Sequence, residues 1–335
     1  MTRTRLVLLP NWMGDVVMAE PALRALHERQ PEVRMIGAGR AVATGILSTH
    51  PAFSELITIR DRGLLGPWSA GRALRRVQAD EVLLLRNSAR SALVARRCGA
   101  PERIGYRRDG RGALLSTAIE APPKDQPISA VHDYANLIEK AYGTEVSDRR
   151  PHLPLSPQQQ ERAEQLLDGL PRPIIGMVPG ASKQMKRWPP EHFGKSADLL
   201  HQATGGSIVL LGSPEEAPIL AAVSDASDAP IRNLPEHGLS LDTLQGVIAN
   251  LDVLITNDTG PRHLAIASNT PAISLFGPTD HRWTIIPGAR ESMLLAEPFL
   301  DDDHLADNHP KMCRIDRIPV EDVIWRTLQA LDQPN

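Results

Sequence analysis

Residues 253–280 read VLITNDTGPRHLAIASNTPAISLFGPTD. Val253 to Thr256 is a short apolar, β-branched run, followed by turn and cap chemistry at Asn257-Asp258-Thr259-Gly260-Pro261. Asp258 or Thr259 suits a helix N-cap, and Pro261 suits the first turn. His263 to Ser268 is predicted to continue the helix, and Ala272 to Phe276 to form a second buried strand. A helix that opens directly off a strand behind Asp-Thr-Gly aims unpaired N–H groups and a positive dipole end at one point, which suits a phosphate. Capping alone would account for an isolated Asp-Thr-Gly, so the reading depends on what else the chain carries.

Three more loops leave strand-like runs and enter helix-like ones. Pro10 to Asp15 follows the first apolar run. Asp15 opens a helix, where its carboxylate either caps the turn or faces a cleft as a general base. This loop lacks GxGxxG, so a nicotinamide fingerprint is absent. Pro179 to Pro189 reads PGASKQMKRWP. Its small residues, Ser182 among them, allow close backbone approach to a ligand. Lys186 and Arg187 would suit a diphosphate, while Trp188-Pro189 also reads as a packed helix lead-in. At Leu211 to Glu216, LGSPEE, an acidic side chain could accept from a ribose hydroxyl, and Ser213 could cap the helix instead.

The elements that must hold these loops alternate. Strands are predicted at Leu6–Leu9, Val33–Gly37, Glu81–Leu85 and Arg103–Gly105, with helices at Val16–Arg29 and Ala89–Cys98. After Pro151 the pattern restarts, with strands at Ile174–Val178 and Ser207–Leu211 and helices at Glu191–Thr204 and Glu215–Ser224. Alternation in both halves predicts an α/β protein of two doubly wound parallel sheets. The proline-rich stretch 149–158 marks the break, giving domains of 1–155 and 156–335. The last helix, Val320–Leu331, is free to pack on either one. Ligands bind at the carboxyl ends of strands in such sheets, so a cleft between the two is the expected active site.

The formal charge of −3 hides an asymmetry. Residues 1–150 hold 23 Lys and Arg against 16 Asp and Glu, net +7; the remainder is net −10. Arg86, Arg90, Arg96, Arg97, Arg103, Arg107, Arg108 and Arg111 face only Glu102 and Asp109 in their segment. A basic half implies an anionic partner, although some of these arginines read equally as solvated surface. Cys98 and Cys313 form no ligand pattern, which fits a reducing compartment. No stretch approaches the roughly 20 apolar residues of a membrane span, and the apolar run before Pro10 is too short for a signal peptide. A cytoplasmic protein is expected, resting on a membrane surface, with no nucleic-acid partner.

Together the loops resemble glycosyltransferase family 9, the ADP-heptose:lipopolysaccharide heptosyltransferases, in their second-heptose branch. The resemblance spans nearly the whole chain. It is carried by Leu9–Pro31, Gly99–Leu115, Pro179–Phe193 (PGASKQMKRWPPEHF), Asn257–Asp280 and the tail His309–Val323. It implies a GT-B architecture of two Rossmann-like domains facing an interdomain cleft, the first for the acceptor and the second for the nucleotide sugar. It also implies inverting transfer of heptose from an ADP-activated donor to the lipopolysaccharide inner core, without an essential metal or other cofactor.

By the resemblance, Asp15 falls on the catalytic aspartate and Lys186 on the phosphate-contacting lysine. Asp258, Thr259, Gly260 and His263 fall on the donor motif, and Ser182 lies within the second donor loop. Glu216 aligns loosely with a nucleotide-contacting acid. Arg262 departs from the family, which usually has an apolar residue there. Arg103 and Arg111, in family-like positions, are expected to grip the acceptor's carboxylates and phosphates. The competing expectations are a family-9 enzyme with another sugar or acceptor, a GT-B nucleotide-sugar epimerase, and a non-catalytic nucleotide-binding module.

Overall fold

The computed structural model describes residues 2–123, 126–296, 299–301 and 304–333. Its chain forms two compact units. The first comprises residues 1–154 and 282–287, and the second the remainder.

In the first unit the elements run β1 (Thr4–Leu8), α1 (Met13–Arg29), β2 (Arg34–Gly39), α2 (Ala41–Ile46), β3 (Glu55–Thr58) and α3 (Gly66–Leu74). They continue with β4 (Glu81–Leu84), α4 (Ala89–Cys98), β5 (Glu102–Arg107), β6 (Thr117–Glu120) and α5 (Ala130–Tyr142). The second unit holds α6 (Pro157–Leu167), β7 (Ile174–Val178), α7 (Pro190–Thr204), β8 (Ser207–Leu210), α8 (Ala217–Asp225) and β9 (Ile231–Asn233). It ends with α9 (Leu241–Ala249), β10 (Val253–Asn257), α10 (Gly260–Ala267), β11 (Ala272–Phe276), β12 (Glu291–Leu295) and α11 (Val320–Asp332).

Each sheet has six strands, all parallel, in the order β3-β2-β1-β4-β5-β6 and β12-β11-β10-β7-β8-β9. The two orders are the same plan: in each, the first strand of the unit lies beside the fourth. The predicted doubly wound α/β class is therefore what the chain forms. Central strands such as Leu6-Val7-Leu8 and Ile174 to Val178 are buried along their length, because helices cover both faces of a parallel sheet. Trp188 and Phe193, edge to face with centroids 5.0 Å apart, anchor the second core. Helix α11 joins that same core through Val320 and Val323. Both cysteines are free and buried.

Strand order decides where ligands fit. The crevice of a doubly wound sheet opens where the order reverses, at the carboxyl ends of the two strands flanking the switch. Those strands are β1 and β4 in the first unit and β7 and β10 in the second. The loops leaving them are 9–12, 85–88, 179–189 and 258–259, which include three of the loops predicted to carry chemistry.

Candidate active site

In the first unit, Asp15 lies in the first turn of α1. No side chain caps that helix, so Asp15 is not spent on its own backbone. Its carboxylate is half-buried and, among the described residues, has no hydrogen bond or ion pair. Burial pushes its pKa up to about 6. It borders a cavity of about 370 Å³, shared with Asn11, Arg86, Asn87 and Asp133. It also borders a second cavity of about 200 Å³, shared with Arg108, Asp133, Trp283 and Thr284. Asp133, in the first turn of α5, is a carboxylate that sequence reasoning missed. Burial raises its pKa, and Arg108 lies 4.0 Å away. The signal for it is an acidic residue in the first turn of an amphipathic helix.

Of the two arginines expected to grip the acceptor, Arg111 is held inside the protein and Arg103 is half-buried. Arg111 is fully buried. Its guanidinium donates to the Tyr106 carbonyl at 2.8 Å, the Asn87 Oδ1 at 3.0 Å, the Ser91 Oγ at 3.2 Å and the Arg86 carbonyl. Arg103 donates to the carbonyls of Leu114, Ala100 and Pro101 at 2.8–2.9 Å. Both guanidinium groups therefore hold backbone together. Arg111 in particular fixes the 86–91 turn that borders the Asp15 cavity. The arginines that reach the cavities are Arg86, ion-paired to Asp61, and Arg108.

In the second unit, the loops at the switch point are stitched by Asn257. Its side chain donates to the Pro179 carbonyl at 2.8 Å and accepts from the Trp188 N–H at 3.1 Å. This fully buried asparagine ends an apolar strand, which was the available signal for it. Lys186 Nζ then reaches Asp258 Oδ2 at 2.9 Å. Burial raises the Asp258 carboxyl, but Lys186 and Arg262 outweigh it and hold its pKa below the ordinary value. Thr259 occupies the N-cap of α10 without a side-chain cap, so the N–H groups of that first turn keep their donor capacity. His263 is buried beside this turn, and burial, with Arg262 next, pushes its pKa down to about 3. It is a neutral imidazole at physiological pH.

Glu216 caps Ser213 by accepting from its N–H at 2.9 Å. Its Oε1 lies so near Gly180 that a Cβ there would sit 2.0 Å from it. Glycine is what lets the acid approach the loop that carries Lys186. Ser182 is exposed on that loop. The structure thus gathers Lys186, Asp258 and His263, and sets Glu216 against the same loop.

Arg262 has a structural explanation. It is fully buried and forms a bidentate pair with Glu291 on β12, Nε–Oε1 2.5 Å and Nη2–Oε2 2.9 Å. It also lies over the Phe276 ring. Glu291→Ala would remove the bidentate partner of this buried guanidinium, and a loss of about 3–5 kcal/mol in urea unfolding is expected. The double variant Arg262→Leu/Glu291→Leu is expected to recover most of the loss, because it removes the buried charge along with its partner.

Two doubly wound parallel units of the same strand order, each with its loops at the switch point, have the GT-B fold. The family model for "Glycosyltransferase family 9 (heptosyltransferase)" matches residues 68–298. The chain belongs to glycosyltransferase family 9. It is 31% identical over 300 residues to lipopolysaccharide heptosyltransferase 2 of Escherichia coli, covering 83% of this chain and 84% of that one. It is 32% identical over 300 residues to the enzyme of the same name from Salmonella typhimurium, again covering 83% and 84%. The solved structure of E. coli ADP-heptose lipopolysaccharide heptosyltransferase II superposes with a TM-score of 0.76 at 26% identity, covering 97% of this chain and 99% of that one. A family-9 glycosyltransferase from Veillonella parvula superposes with a TM-score of 0.88 over 98% and 97% of the two chains, and at 20% identity it speaks to the fold.

Proposed function

We propose that this glycosyltransferase moves heptose from ADP-L-glycero-D-manno-heptose to the lipopolysaccharide inner core by a single inverting displacement. The observation that carries the mechanism is Asp15, a half-buried carboxylate without a partner whose pKa of about 6 suits a general base near neutrality. Asp15 accepts the proton of the acceptor hydroxyl as that oxygen attacks the anomeric carbon. The carbon passes through a state with oxocarbenium character. Negative charge grows on the departing diphosphate, where Lys186 and the uncapped N–H groups of α10 stabilise it. Asp258 holds Lys186 in place, and in this reading Glu216 accepts from the donor's ribose. Neutral His263 serves as a hydrogen-bonding wall of the donor site, and Ser182 adds a hydroxyl there. In this role a lysine and a helix end substitute for a divalent cation, so the reaction is taken to need no metal.

The acceptor is an anionic glycolipid. With Arg111 fully buried, positive charge meets it at the Asp15 cavities from Arg108, which lines the smaller one, and Arg103 remains a second candidate. No helix among the described residues is long and apolar enough to cross a membrane. The proposed setting is the cytoplasmic face of the inner membrane, by peripheral contact.

The test is ADP release in EDTA, from ADP-heptose with and without a Kdo-containing inner-core acceptor that already carries one heptose. Release that requires the acceptor and withstands EDTA is expected. Acceptor-independent turnover would instead indicate an epimerase. Silence with this pair, together with thermal stabilisation by another nucleotide sugar, would move the function to a different donor.

A further inference from the structure

The strongest feature outside the switch points is the turn between β3 and α3. Leu64 and Leu65 are 97% and 77% exposed, and Trp68 is 48% exposed on the first turn of α3. Two adjacent leucines held so far into solvent call for a reason, because apolar side chains that can be buried normally are. Their exposure is built in. Arg90 donates to the carbonyls of Asp61 and Gly63 at 2.8 and 2.6 Å, closing the turn from below. Gly66 packs so tightly that a Cβ would lie 2.5 Å from the Asp61 backbone. Trp68 is stacked under the Arg97 guanidinium at 3.4 Å. The leucines therefore sit on a fixed turn.

The charge around them has one sign. Residues 60–79 contain five arginines and one acid, Asp61. Asp61 is consumed by Arg86 and Arg40. Arg60, Arg62, Arg72, Arg75 and Arg76 are exposed, and none has a carboxylate partner among the described residues. Protruding leucines and an interfacial tryptophan, ringed by unpaired guanidinium groups, complement an anionic bilayer. The apolar tips enter the acyl boundary, tryptophan lies at headgroup level, and the arginines meet lipid phosphates.

We propose that the 60–76 segment is a membrane-docking surface, with Leu64 and Leu65 inserting into a bilayer rich in anionic phospholipid. The turn is coupled to the Asp15 cavity through Asp61, whose carboxylate holds Arg86 on the cavity wall. This identifies the part of the protein that lies on the membrane. If the proposed function holds, docking presents a lipid-anchored acceptor beside the base.

The test needs no substrate. The full-length protein is sedimented with vesicles of phosphatidylglycerol and phosphatidylcholine, and with phosphatidylcholine alone, at low and high salt. Binding to the anionic vesicles that weakens with salt is expected. L64S/L65S should lower the partition coefficient about tenfold or more, through lost apolar burial, with an unchanged melting temperature since neither side chain is buried. R72S/R75S/R76S should weaken binding to anionic vesicles while leaving weak binding to neutral ones unchanged. Equal binding by wild type and L64S/L65S, or no binding to anionic vesicles, would overturn the proposal. So would self-association of the wild type that L64S/L65S abolishes without any vesicle binding, because the patch would then be a protein contact. Each of these outcomes is independent of whether heptose is the sugar transferred.

Discussion

Asp15→Asn is expected to lower kcat by about 10²–10⁴-fold while leaving ADP affinity nearly unchanged, because the amide keeps the shape but accepts no proton. The wild-type kcat/KM should rise with pH through about 6, where the free enzyme's Asp15 loses its proton, and then level off. The residual activity of Asp15→Asn should lack that limb. Stability should move the opposite way. In the folded chain the Asp15 carboxyl binds its proton up to about pH 6, whereas an unfolded aspartate gives it up near 3.8. Folding therefore loses stability as pH rises from about 4 to about 6, and carries a constant cost above that. Asp15→Asn removes that cost, which is up to about 3 kcal/mol. Its melting temperature should exceed the wild type's at pH 7.5 and converge with it at pH 4. Loss of activity with gain of stability would mark a carboxylate kept for chemistry. An unchanged kcat would remove Asp15 from the mechanism.

Lys186→Ala is expected to lower kcat by about 10²–10³-fold and to raise the KM for the donor, since an electrostatic contact to a departing diphosphate strengthens as charge develops. Lys186→Arg should restore donor binding better than rate, because a planar fork does not reproduce a point ammonium. The variant also frees Asp258. Without Lys186 the nearest cation is Arg262 at 3.7 Å, so the Asp258 pKa should climb. In the wild type, an Asp258 held below its unfolded value adds stability that is present above that value and lost as pH falls through the folded one. Lys186→Ala should flatten this acid limb. A variant that alters only melting temperature, with kcat and KM intact, would reduce Lys186 to a loop strut.

Much of the positioning was legible locally. The runs 174–178 and 272–276 appear as strands with the predicted limits, and Ala89–Cys98 as a helix. The helix after Asp-Thr-Gly begins at Gly260, with Thr259 at its N-cap and Pro261 in its first turn as the cap chemistry predicts, because Pro261 already has the backbone angle a first turn needs. The 55–58, 117–120 and 231–233 strands were missed. They are only three or four residues long and only partly buried, so they lack a continuous apolar run. The segment 282–287, which belongs with the first unit although it lies deep in the second half of the chain, carries no local signal at all.

The sequence by itself determined the strand-loop-helix units, the loops that would meet ligands, and the residues there able to donate, accept or carry charge, because periodicity and turn chemistry act within a few residues. Tertiary structure decided what those charges do. Arg111 looked like an acceptor contact and is a buried brace, since strand β5 and the 86–91 turn close around its guanidinium. Arg262 looked misplaced until Glu291, 29 residues away in sequence, was brought alongside it. The Asp15 carboxyl is pushed up to about 6 only through burial, and burial is a property of neighbours that arrive from other parts of the chain.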